Sequence, residues 1–392
     1  MNTRRNIKVI DTFAGAGGFS LGFHLAGAEI VGAIEIDSWA TETFIANHPE
    51  TNVVKKDISL MSDEEVLSTF STPDILLGGP PCQGYSIANR KNGDPKDPRN
   101  TLFTQFLRVG KLLNPSVIIM ENVPNIAKAK TAEGVLVVDI IKNELKQLGY
   151  FVYDKILEAT DYGVPQIRKR LFIIASKKEL RNAFPAPSHN IYGADGLEKT
   201  PTLWDAISDL PKIEAREGAE KMDYIEKPKN EYQVMLRNNS EFISNHKAMN
   251  HSKRLVERFS SMVWGQSTSD VPEHLKPLKR NSKEISDKVY GQNNRRMHPS
   301  KPCHTIAASF YANFVHPYIN RNFTAREGAR IQSFPDWYVF KGKPTVVSHK
   351  LLQREGRTDE KYLCQYNQIG NAVPPLLSMA IANNIFKGLF ND

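Results

Sequence analysis

The stretch Gly78-Gly79-Pro80-Pro81-Cys82-Gln83-Gly84-Tyr85-Ser86 follows a short apolar run, Asp74–Leu77, with the length and flanking turn residues of a buried strand. Glycine and proline together favour a sharp, stiff exit from that strand, which places Cys82 just beyond its carboxyl end. Ligands of open parallel sheets bind at that edge, so the position suits a nucleophile. A proline-rich turn around an inert, buried cysteine explains the same stretch, so the choice depends on the rest of the chain.

Strand-like and helix-like segments alternate on both sides of this stretch, from the N-terminus to about residue 175. Predicted strands lie at 8–13, 29–35, 52–54, 74–77, 115–121, 151–158 and 170–175, and predicted helices at 20–26, 39–47, 63–70 and 133–148. This alternation predicts a doubly wound, mostly parallel α/β sheet. Residues 87–99 are polar, rich in glycine and proline and without periodicity, and we expect a loop that closes over a bound ligand.

The texture of the sequence changes beyond about residue 184, where prolines become frequent and apolar periods short. We expect a catalytic domain at 1–178 plus 364–392 and a second, smaller and irregular domain at 179–345. The variable part of that second domain spans about 184–297, and residues 346–363 connect it back. Gly370–Pro375 predicts the start of a helix that runs to about Phe386 and packs on the first domain, because proline suits a helix N-terminus.

Composition and charge limit the classes of function. The 392 residues carry a net charge of +8, and the segment from Arg237 to Arg296 has 12 Lys/Arg against 6 Asp/Glu. That excess indicates a surface that binds along the phosphate backbone of a nucleic acid. The alternative is a basic surface that contacts only solvent. Three widely spaced cysteines argue against a disulfide framework and against a zinc site. Without a membrane-length apolar run or a signal-peptide core, we expect a cytoplasmic protein.

The first predicted strand runs into a glycine-rich turn, Asp11-Thr12-Phe13-Ala14-Gly15-Ala16-Gly17-Gly18-Phe19-Ser20. Such a turn lets a ligand approach the backbone, but it is neither G-x-G-x-x-G nor a P-loop, so a pyrophosphate is not favoured. Glu35 ends the second strand, where an acid binds ribose hydroxyls, and Asp57 after the third strand can accept from an adenine amino group. S-adenosylmethionine therefore fits this site better than NAD or ATP.

Further charged groups lie beside later strands. Glu121 follows a buried strand, and a carboxyl group desolvated in a cleft can hold a proton at neutral pH and donate it. A capping or solvated acid is the alternative. Arg168 and Arg170 precede the last predicted strand and would share one face, where buried guanidinium groups need an anionic partner. An exposed basic strand edge is the alternative.

Taken in order, these motifs resemble those of the cytosine-5 DNA methyltransferases, of the bacterial restriction-modification type. The resemblance rests on Asp-x-Phe-x-Gly-x-Gly-Gly, Gly-Gly-Pro-Pro-Cys-Gln-Gly-Tyr-Ser, Glu-Asn-Val, Gln-x-Arg-x-Arg, the Arg321–Asp336 stretch and Gly-Asn-Ala-Val-Pro-Pro. It covers about 1–178 and 298–392, and members of the family differ in the span between, with which they read their targets. The resemblance implies a Rossmann-like methyltransferase fold with a target-recognition domain.

The resemblance also implies a mechanism. Cys82 would attack carbon 6 of a cytosine, and Glu121 would hold ring nitrogen 3 and supply a proton. Arg168 would hold the carbonyl oxygen of the base, and Arg170 would brace Glu121. Because the chemistry is impossible inside a stacked duplex, the base must be flipped out.

The resemblance further implies the binding residues. For the cofactor, S-adenosylmethionine, these are Phe13, Gly15, Gly17, Glu35, Ile36, Asp57, Pro81, Leu102, Asn371 and Val373. Relatives often carry an aromatic residue where this chain has Ile36, so the resemblance does not identify the contact on one face of the adenine. The implied substrate contacts are Gln83, Ser86 and Thr305, the last one to a phosphate. Arg326, Glu327 and Arg330 are interpreted as structural, and so are Cys303 and Cys364.

The leading hypothesis is a monomeric, metal-free enzyme that methylates a specific double-stranded DNA sequence, beside a separately acting cognate restriction endonuclease. A related enzyme that methylates tRNA is the first alternative, against which stand the long variable region and its basic excess. A catalytically dead DNA-binding protein is the second, and the intact set of Cys82, Glu121, Arg168 and Arg170 argues against it.

Overall fold

The computed structural model describes residues 6–81, 102–131, 134–238, 240–279, 282, 284–286, 293–345, 349–354, 356 and 362–390. Contacts divide the chain into two compact units. The first unit comprises Met1–Gly163, Arg168–Asn190 and Ala372–Asp392, and the second comprises Val164–Ile167 and Ile191–Asn371. The division into a catalytic domain and a target-recognition domain at the expected boundaries stays a prediction.

The first unit alternates strands and helices, numbered here in chain order. Its strands are β1 (Lys8–Thr12), β2 (Glu29–Glu35), β3 (Asn52–Lys55), β4 (Ile75–Gly78), β5 (Val117–Asn122), β6 (Phe151–Glu158), β8 (Lys169–Ser176) and the two-residue β9 (His189–Asn190). Its helices are α1 (Gly18–Leu25), α2 (Ser38–Asn47), α3 (Asp63–Thr69), α4 (Leu102–Leu113), α5 (Val137–Gln147) and α12 (Pro375–Leu389).

Seven of these strands form one sheet in the order β3-β2-β1-β4-β5-β8-β6. Strands β3 to β5 pair in parallel, whereas β8 runs antiparallel to both of its neighbours. The prediction of a mostly parallel α/β sheet is confirmed. In such a sheet the carboxyl ends of β1, β2, β3, β4 and β5 meet at one edge, which is where a ligand is expected.

Helices cover both faces of the sheet. Apolar residues of α3, α4 and α5 pack with alternate strand residues such as Ile10, Leu76 and Ile118 in one large core. On the other face Phe19 of α1 contacts Phe172 of β8, with ring centroids 6.0 Å apart. Burial on both faces explains why these strands are nearly continuous apolar runs.

The C-terminal helix α12 packs against α1, as predicted. A side chain at Gly22 would place its Cβ 2.3 Å from Ser378 Cβ and 2.6 Å from the Met379 nitrogen, so the two helices meet backbone to backbone. Ser378 Oγ donates to the Phe19 carbonyl at 2.6 Å across the same contact. The preceding helix ends at Asn371, and α12 begins at Pro375. The chain leaves the helical conformation between them because a residue that precedes a proline is disfavoured in a helix.

The second unit consists of short elements. Its strands are β7 (Gln166–Ile167), β10 (Glu198–Lys199), β11 (Gly218–Asp223), β12 (Phe242–Lys247), β13 (Arg295–Arg296), β14 (Cys303–His304) and β15 (Phe314–Val315). Its helices are α6 (Leu203–Ile207), α7 (Glu231–Arg237), α8 (Lys253–Ser260), α9 (Ala325–Ile331), α10 (His349–Arg354) and α11 (Gln365–Asn371). The pairs β11–β12, β13–β15 and β14–β7 are separate two-stranded sheets.

Ion pairs hold the centre of the second unit together around α9. Arg321 binds both oxygens of Glu327 at 2.8 Å, and Arg330 pairs with Asp336 at 2.6 Å and also with Asp209. Arg326 and Arg330 are fully buried and Glu327 almost so. Their burial agrees with the structural interpretation of these residues, because a side chain without access to solvent cannot contact DNA.

No described helix is long and apolar enough to cross a membrane.

Candidate active site

The turn after β1 has an unusual backbone. Phe13, Gly15 and Gly17 all have positive φ, at 56°, 55° and 81°. Glycine adopts this region freely, but an aromatic residue does so at a cost and is found there chiefly where function demands it. A Cβ at Gly15 would meet nothing within 4 Å. The turn therefore leaves open space directly against its backbone.

Glu35, at the end of β2, fixes this turn. Its Oε2 accepts from the Gly15 amide at 2.7 Å, and its Oε1 accepts from the Asp37 amide at 2.8 Å. Burial raises the pKa of this carboxyl group, and the two amide donors oppose that rise. The following residue, Ile36, is 62% exposed, which is high for an isoleucine.

Asp57 occupies the corresponding position after β3. Its Oδ1 accepts from the amide and from the hydroxyl of Ser59, at 2.9 and 2.7 Å, and caps the short 3-10 helix Ile58–Leu60. Since β3, β2 and β1 are neighbours in the sheet, Asp57, Glu35 and Gly15 follow the same ends of three adjacent strands. The structure thus brings the predicted nucleoside-binding residues of the first unit to one edge.

Asp11 and Ser20 form a buried pair behind this turn that the sequence reasoning did not assign. Ser20 Oγ donates to Asp11 Oδ2 at 2.6 Å, and Asp11 is only 1% exposed. Burial raises the pKa of Asp11 to about 7, and the nearby charge of Glu35 adds to the rise. Both residues lie within the quoted glycine-rich motif, so an aspartate at a buried strand position was the available signal.

The second group of site residues surrounds Glu121, on β5. Arg170 of β8 directs its Nε at Glu121 Oε1 from 2.9 Å, and both side chains are largely buried. Burial raises the pKa of Glu121, while the charges of Arg170 and Arg168 act in the opposite direction. Arg168 is 1% exposed, and one of its terminal nitrogens donates to the Ala372 carbonyl at 3.0 Å. One carboxylate and two guanidinium groups therefore share a buried region.

The backbone that leads to Cys82 begins against this group. A Cβ at Gly79 would lie 3.3 Å from Glu121 Oε2, and Asn122 Nδ2 donates to the Pro80 carbonyl at 2.9 Å. The sequence predicted no role for Asn122, although it directly follows the predicted acid Glu121 and that position was a usable signal of a site residue. Cys82, Gln83 and Ser86 themselves lie outside the described residues, as does the predicted loop at 87–99.

The remaining predicted residues are divided between the units. Pro81 is half-buried, Leu102 is the half-buried first residue of α4, and Val373 is buried in the first unit. Asn371 belongs to the second unit and is exposed. Thr305, also in the second unit, donates its hydroxyl proton to the Ile167 carbonyl at 2.6 Å. A phosphate contact would therefore require that hydroxyl to turn.

Among the described residues, neither a metal-binding group nor the thiols of Cys303 and Cys364 add to the site. No group of three or more histidine, cysteine or acidic side chains suited to a metal ion occurs among the described residues. Cys303 is completely buried, which raises the pKa of its thiol, and Cys364 is also buried. Neither thiol has the access that a nucleophile needs.

The chain is similar to known methyltransferases along almost its whole length. The family model of the C-5 cytosine-specific DNA methylases matches residues 7–387. The type II methyltransferase M.DdeI of Desulfomicrobium norvegicum is 47% identical over 382 residues, which are 97% of this chain and 88% of that protein. M1.HphI of Haemophilus parahaemolyticus is 35% identical, over 99% of this chain and 88% of that protein.

A solved structure is similar in fold. It belongs to an Escherichia coli protein described as a prophage-encoded DNA modification methyltransferase, which is 26% identical to this chain. The superposition has a TM-score of 0.74 and covers 98% of this chain and 100% of the other.

Proposed function

This chain belongs to the C-5 cytosine-specific DNA methylase family. From that premise we propose that Cys82, Glu121, Arg168 and Arg170 are the residues that carry out the methyl transfer. The chain is a DNA cytosine-5 methyltransferase of the restriction-modification type. The tRNA alternative has less support, because the two relatives described above, at 47% and 35% identity, are both type II methyltransferases.

One observation carries the proposal for the site. The carboxyl group of Glu121 faces the backbone of Gly79, three residues before Cys82, and the neighbouring Asn122 binds the Pro80 carbonyl. A nucleophile and a proton donor must both reach one small ring, so their supporting segments have to be adjacent. That requirement is met at the ends of β4 and β5.

In the proposed reaction the Cys82 thiolate forms a bond to carbon 6 of cytosine. The ring electrons move toward carbon 5, and the charge that would develop at nitrogen 3 is offset by a proton from Glu121. S-adenosylmethionine, the methyl donor that the family implies, supplies an electrophilic methyl group when bound. Carbon 5 would take that methyl group as its bond to the donor's sulfur breaks. The carbon 5 proton then passes to solvent water, nitrogen 3 returns its proton to Glu121, and cleavage of the bond between the Cys82 sulfur and carbon 6 restores the aromatic ring and the thiolate. Covalent addition is useful because it divides one difficult step into easier ones.

The surroundings of Glu121 suit this proton transfer. Burial raises the pKa of Glu121 and favours the protonated carboxyl, while the charges of Arg170 and Arg168 oppose that rise, so the group is suited both to donate a proton and to recover it. Arg168 lies in the same buried region and provides a cation for the carbonyl oxygen of the base. Its contact with the Ala372 carbonyl holds it in position.

The residues at the ends of β1, β2 and β3 fit S-adenosylmethionine. Gly15 leaves space against the backbone, Phe13 provides a ring in a constrained conformation, and Glu35 presents a carboxylate held by two amides. A carboxylate has about four acceptor positions, so two amides leave room for ribose hydroxyls. Phe13, Ile36 and Asp57 would contact the adenine. Gly17, Pro81, Leu102, Val373 and Asn371 complete the proposed set.

The second unit is proposed to bind the DNA around the target. A base stacked in a duplex cannot be reached by Cys82 and Glu121 together, so the cytosine is flipped into the site. The segment from Arg237 to Arg296 lies in the second unit and has twice as many basic as acidic residues, 12 against 6. Thr305 remains a proposed phosphate contact.

The test is methyl transfer from labelled S-adenosylmethionine to duplex DNA and to tRNA, by the native protein and by Cys82→Ser. Label should enter DNA, and Cys82→Ser should lose transfer while it keeps its affinity for DNA and cofactor. DNA with 5-fluorocytosine at the target should trap the native protein covalently, since fluorine cannot leave as a proton does. Cys303→Ala, which alters a buried thiol, is the control and should still transfer. Undiminished transfer by Cys82→Ser would refute the covalent mechanism, and label in tRNA alone would refute the DNA substrate.

A further inference from the structure

The second unit contains an open cavity of about 640 Å³ to which the proposed chemistry assigns no role. Its walls include Val263, Trp264 and Tyr318, together with the polar side chains of His298 and Asn320. All of them belong to the same unit, so the cavity does not depend on how the two units are arranged. Its volume is within the range of small-molecule binding pockets.

The apolar walls of this cavity are exposed to a degree that is unusual for such large side chains. Trp264 is 46% exposed, Tyr318 53% and Val263 65%. The rings also contact one another, with 5.7 Å between the centroids of Trp264 and Tyr318, and Trp204 packs against Tyr318 from 4.6 Å. Exposed apolar residues that cluster in this way indicate a binding surface, whereas isolated ones do not.

Hydrogen bonds hold the walls of this open cavity in place. Trp264 Nε1 donates to the Pro317 carbonyl at 3.0 Å, which fixes the indole against the loop that carries Tyr318. The buried guanidinium group of Arg296 secures the same loop, because it donates to the His316 carbonyl at 2.8 Å and to Asn320 Oδ1 at 2.6 Å. A ligand would therefore bind without first having to order these side chains.

The chemistry of the walls indicates what this ligand is. Aromatic faces bind other flat rings, and the His298 ring, 5.2 Å from the indole centroid, adds a polar edge. Five of the nine residues that line the cavity belong to the segment Arg237–Arg296, in which basic residues outnumber acidic ones by 12 to 6, and that excess favours a polyanion. A nucleic acid combines flat rings with negative charge, whereas an apolar protein surface would gain nothing from the basic excess.

We propose that Trp264 and Tyr318 stack on a nucleobase of the recognition sequence, other than the target cytosine, that has left the duplex stack, and so favour binding to the sequence in which that base is extruded. This inference rests on the proposed role of the second unit in DNA binding. Contacts to bases distinguish sequences, whereas contacts to phosphates strengthen binding to every sequence alike. Removal of the indole should therefore weaken binding to the recognition sequence only, by roughly 5- to 150-fold, the range for the loss of one stacked base.

The experiment begins with bisulfite sequencing of DNA methylated by the native protein, which identifies the recognition sequence. Dissociation constants are then measured at one salt concentration for duplexes with that sequence and with a scrambled one. Trp264→Ala and Tyr318→Ala should lose affinity for the first duplex and not for the second, and Trp264→Phe should lose less. Tyr192→Ala is the control, because Tyr192 is 86% exposed in the same unit and is not part of the cavity. Equal losses on both duplexes, or none, would overturn the proposal.

A second measurement follows the fluorescence of the native protein and uses one conservative variant as its reference. The chain has four tryptophans, and stacking on Trp264 should quench part of their fluorescence when the native protein binds its recognition sequence. Trp264→Phe should lose this quenching, and a quench that persists would contradict the stacking. Methyl transfer by the native protein at saturating DNA is followed in parallel. If transfer occurs but the Trp264 variants bind normally, the inference fails and the proposed function stands, whereas absent transfer is a failure of the proposed function.

Discussion

Arg170 Nε lies 2.9 Å from Glu121 Oε1, and the two side chains are only 13% and 12% exposed. The contact crosses two antiparallel strands, since Glu121 pairs with Phe172 and Asn122 with Leu171 in the register of β5 and β8. A buried carboxylate needs a partner, so Arg170 allows Glu121 to exist in a charged form at all. The ease with which Glu121 releases and recovers a proton therefore depends on this arginine.

Replacement of Arg170 by leucine should remove the hydrogen-bonded partner of the buried Glu121 carboxylate and leave only the charge of Arg168 to balance it. We expect a loss of about 3–5 kcal/mol in the free energy of unfolding at pH 7, measured in urea. The deficit should be smaller at pH 5 than at pH 7, because loss of Arg170 raises the pKa of Glu121 further and protonation removes the buried charge as the pH falls. Methyl transfer should be lost at both pH values.

The double variant Glu121→Leu/Arg170→Leu is the matched control for that loss. Two apolar side chains in place of a buried ion pair are often neutral or stabilising, but Arg168 then loses the charge of Glu121 and keeps its hydrogen bond to the Ala372 carbonyl. The double variant should therefore recover part of the stability and none of the activity. A single Arg170→Leu variant as stable as the native protein would show that Glu121 is already neutral and that the ion pair is not its support.

Asn122 should affect catalysis through the segment that leads to Cys82. Asn122→Ala leaves the buried Pro80 carbonyl without this donor, which costs about 1–3 kcal/mol of stability. Because the anchored turn precedes the nucleophile, kcat should fall while the dissociation constant for S-adenosylmethionine stays the same. Tyr150→Phe is the control, since it removes a buried hydrogen bond of 2.7 Å to another proline carbonyl, that of Pro115. It should destabilise comparably and keep the native kcat.

The sequence predicted the parallel sheet well because its strands are continuous apolar runs between clear turns. The bounds of β2 and β6 were predicted as the structure has them. The helix predicted at 133–148 begins later, at Val137, because Leu136 still pairs with Lys130 in a β-bridge. The reversed direction of β8 was not predicted, since alternation of apolar residues is the same in either direction. Helix α4 was missed, although Phe103, Phe106, Leu107 and Gly110 are buried at helical spacing.

The site was predicted in part, for a related reason. Strand-end residues such as Glu35 and Glu121 are recognisable because acids are rare beside apolar runs. Contacts between distant side chains and backbone leave no such mark, which is why Asn122 with Pro80, 42 residues apart, was not assigned. The positive φ of Phe13 is equally invisible, because only a glycine would have signalled it.

Substitution of Gly15 should weaken the binding of S-adenosylmethionine as well as lower the stability of the protein. Gly15→Ala strains a backbone at φ +55° by about 1–2 kcal/mol and places a methyl group in the space proposed for the cofactor. Overpacking of about 1–3 kcal/mol corresponds to a roughly 5- to 150-fold weaker affinity for S-adenosylmethionine, measurable by calorimetry. Gly27→Ala is the control, since φ is +100° there and a Cβ also meets nothing within 4 Å. It should lose stability without losing affinity, and equal affinities in both variants would place the cofactor elsewhere.

Asp11 should make the stability of the first unit depend on pH. Its pKa rises from 3.8 to about 7 on folding because of burial, so the folded state binds more protons than the unfolded state between these values. The stabilisation is therefore complete below pH 3.8 and is lost as the pH rises through about 7, by about 1.4 kcal/mol for each pH unit in between.

Asp11→Asn, which can still accept from Ser20, should lack this slope, so urea denaturation from pH 5 to pH 8 should shift in favour of the variant. Ser20→Ala removes a hydrogen bond that lowers the pKa, and its slope should extend to higher pH. Parallel curves for Asp11→Asn and the native protein would mean that Asp11 folds as a carboxylate.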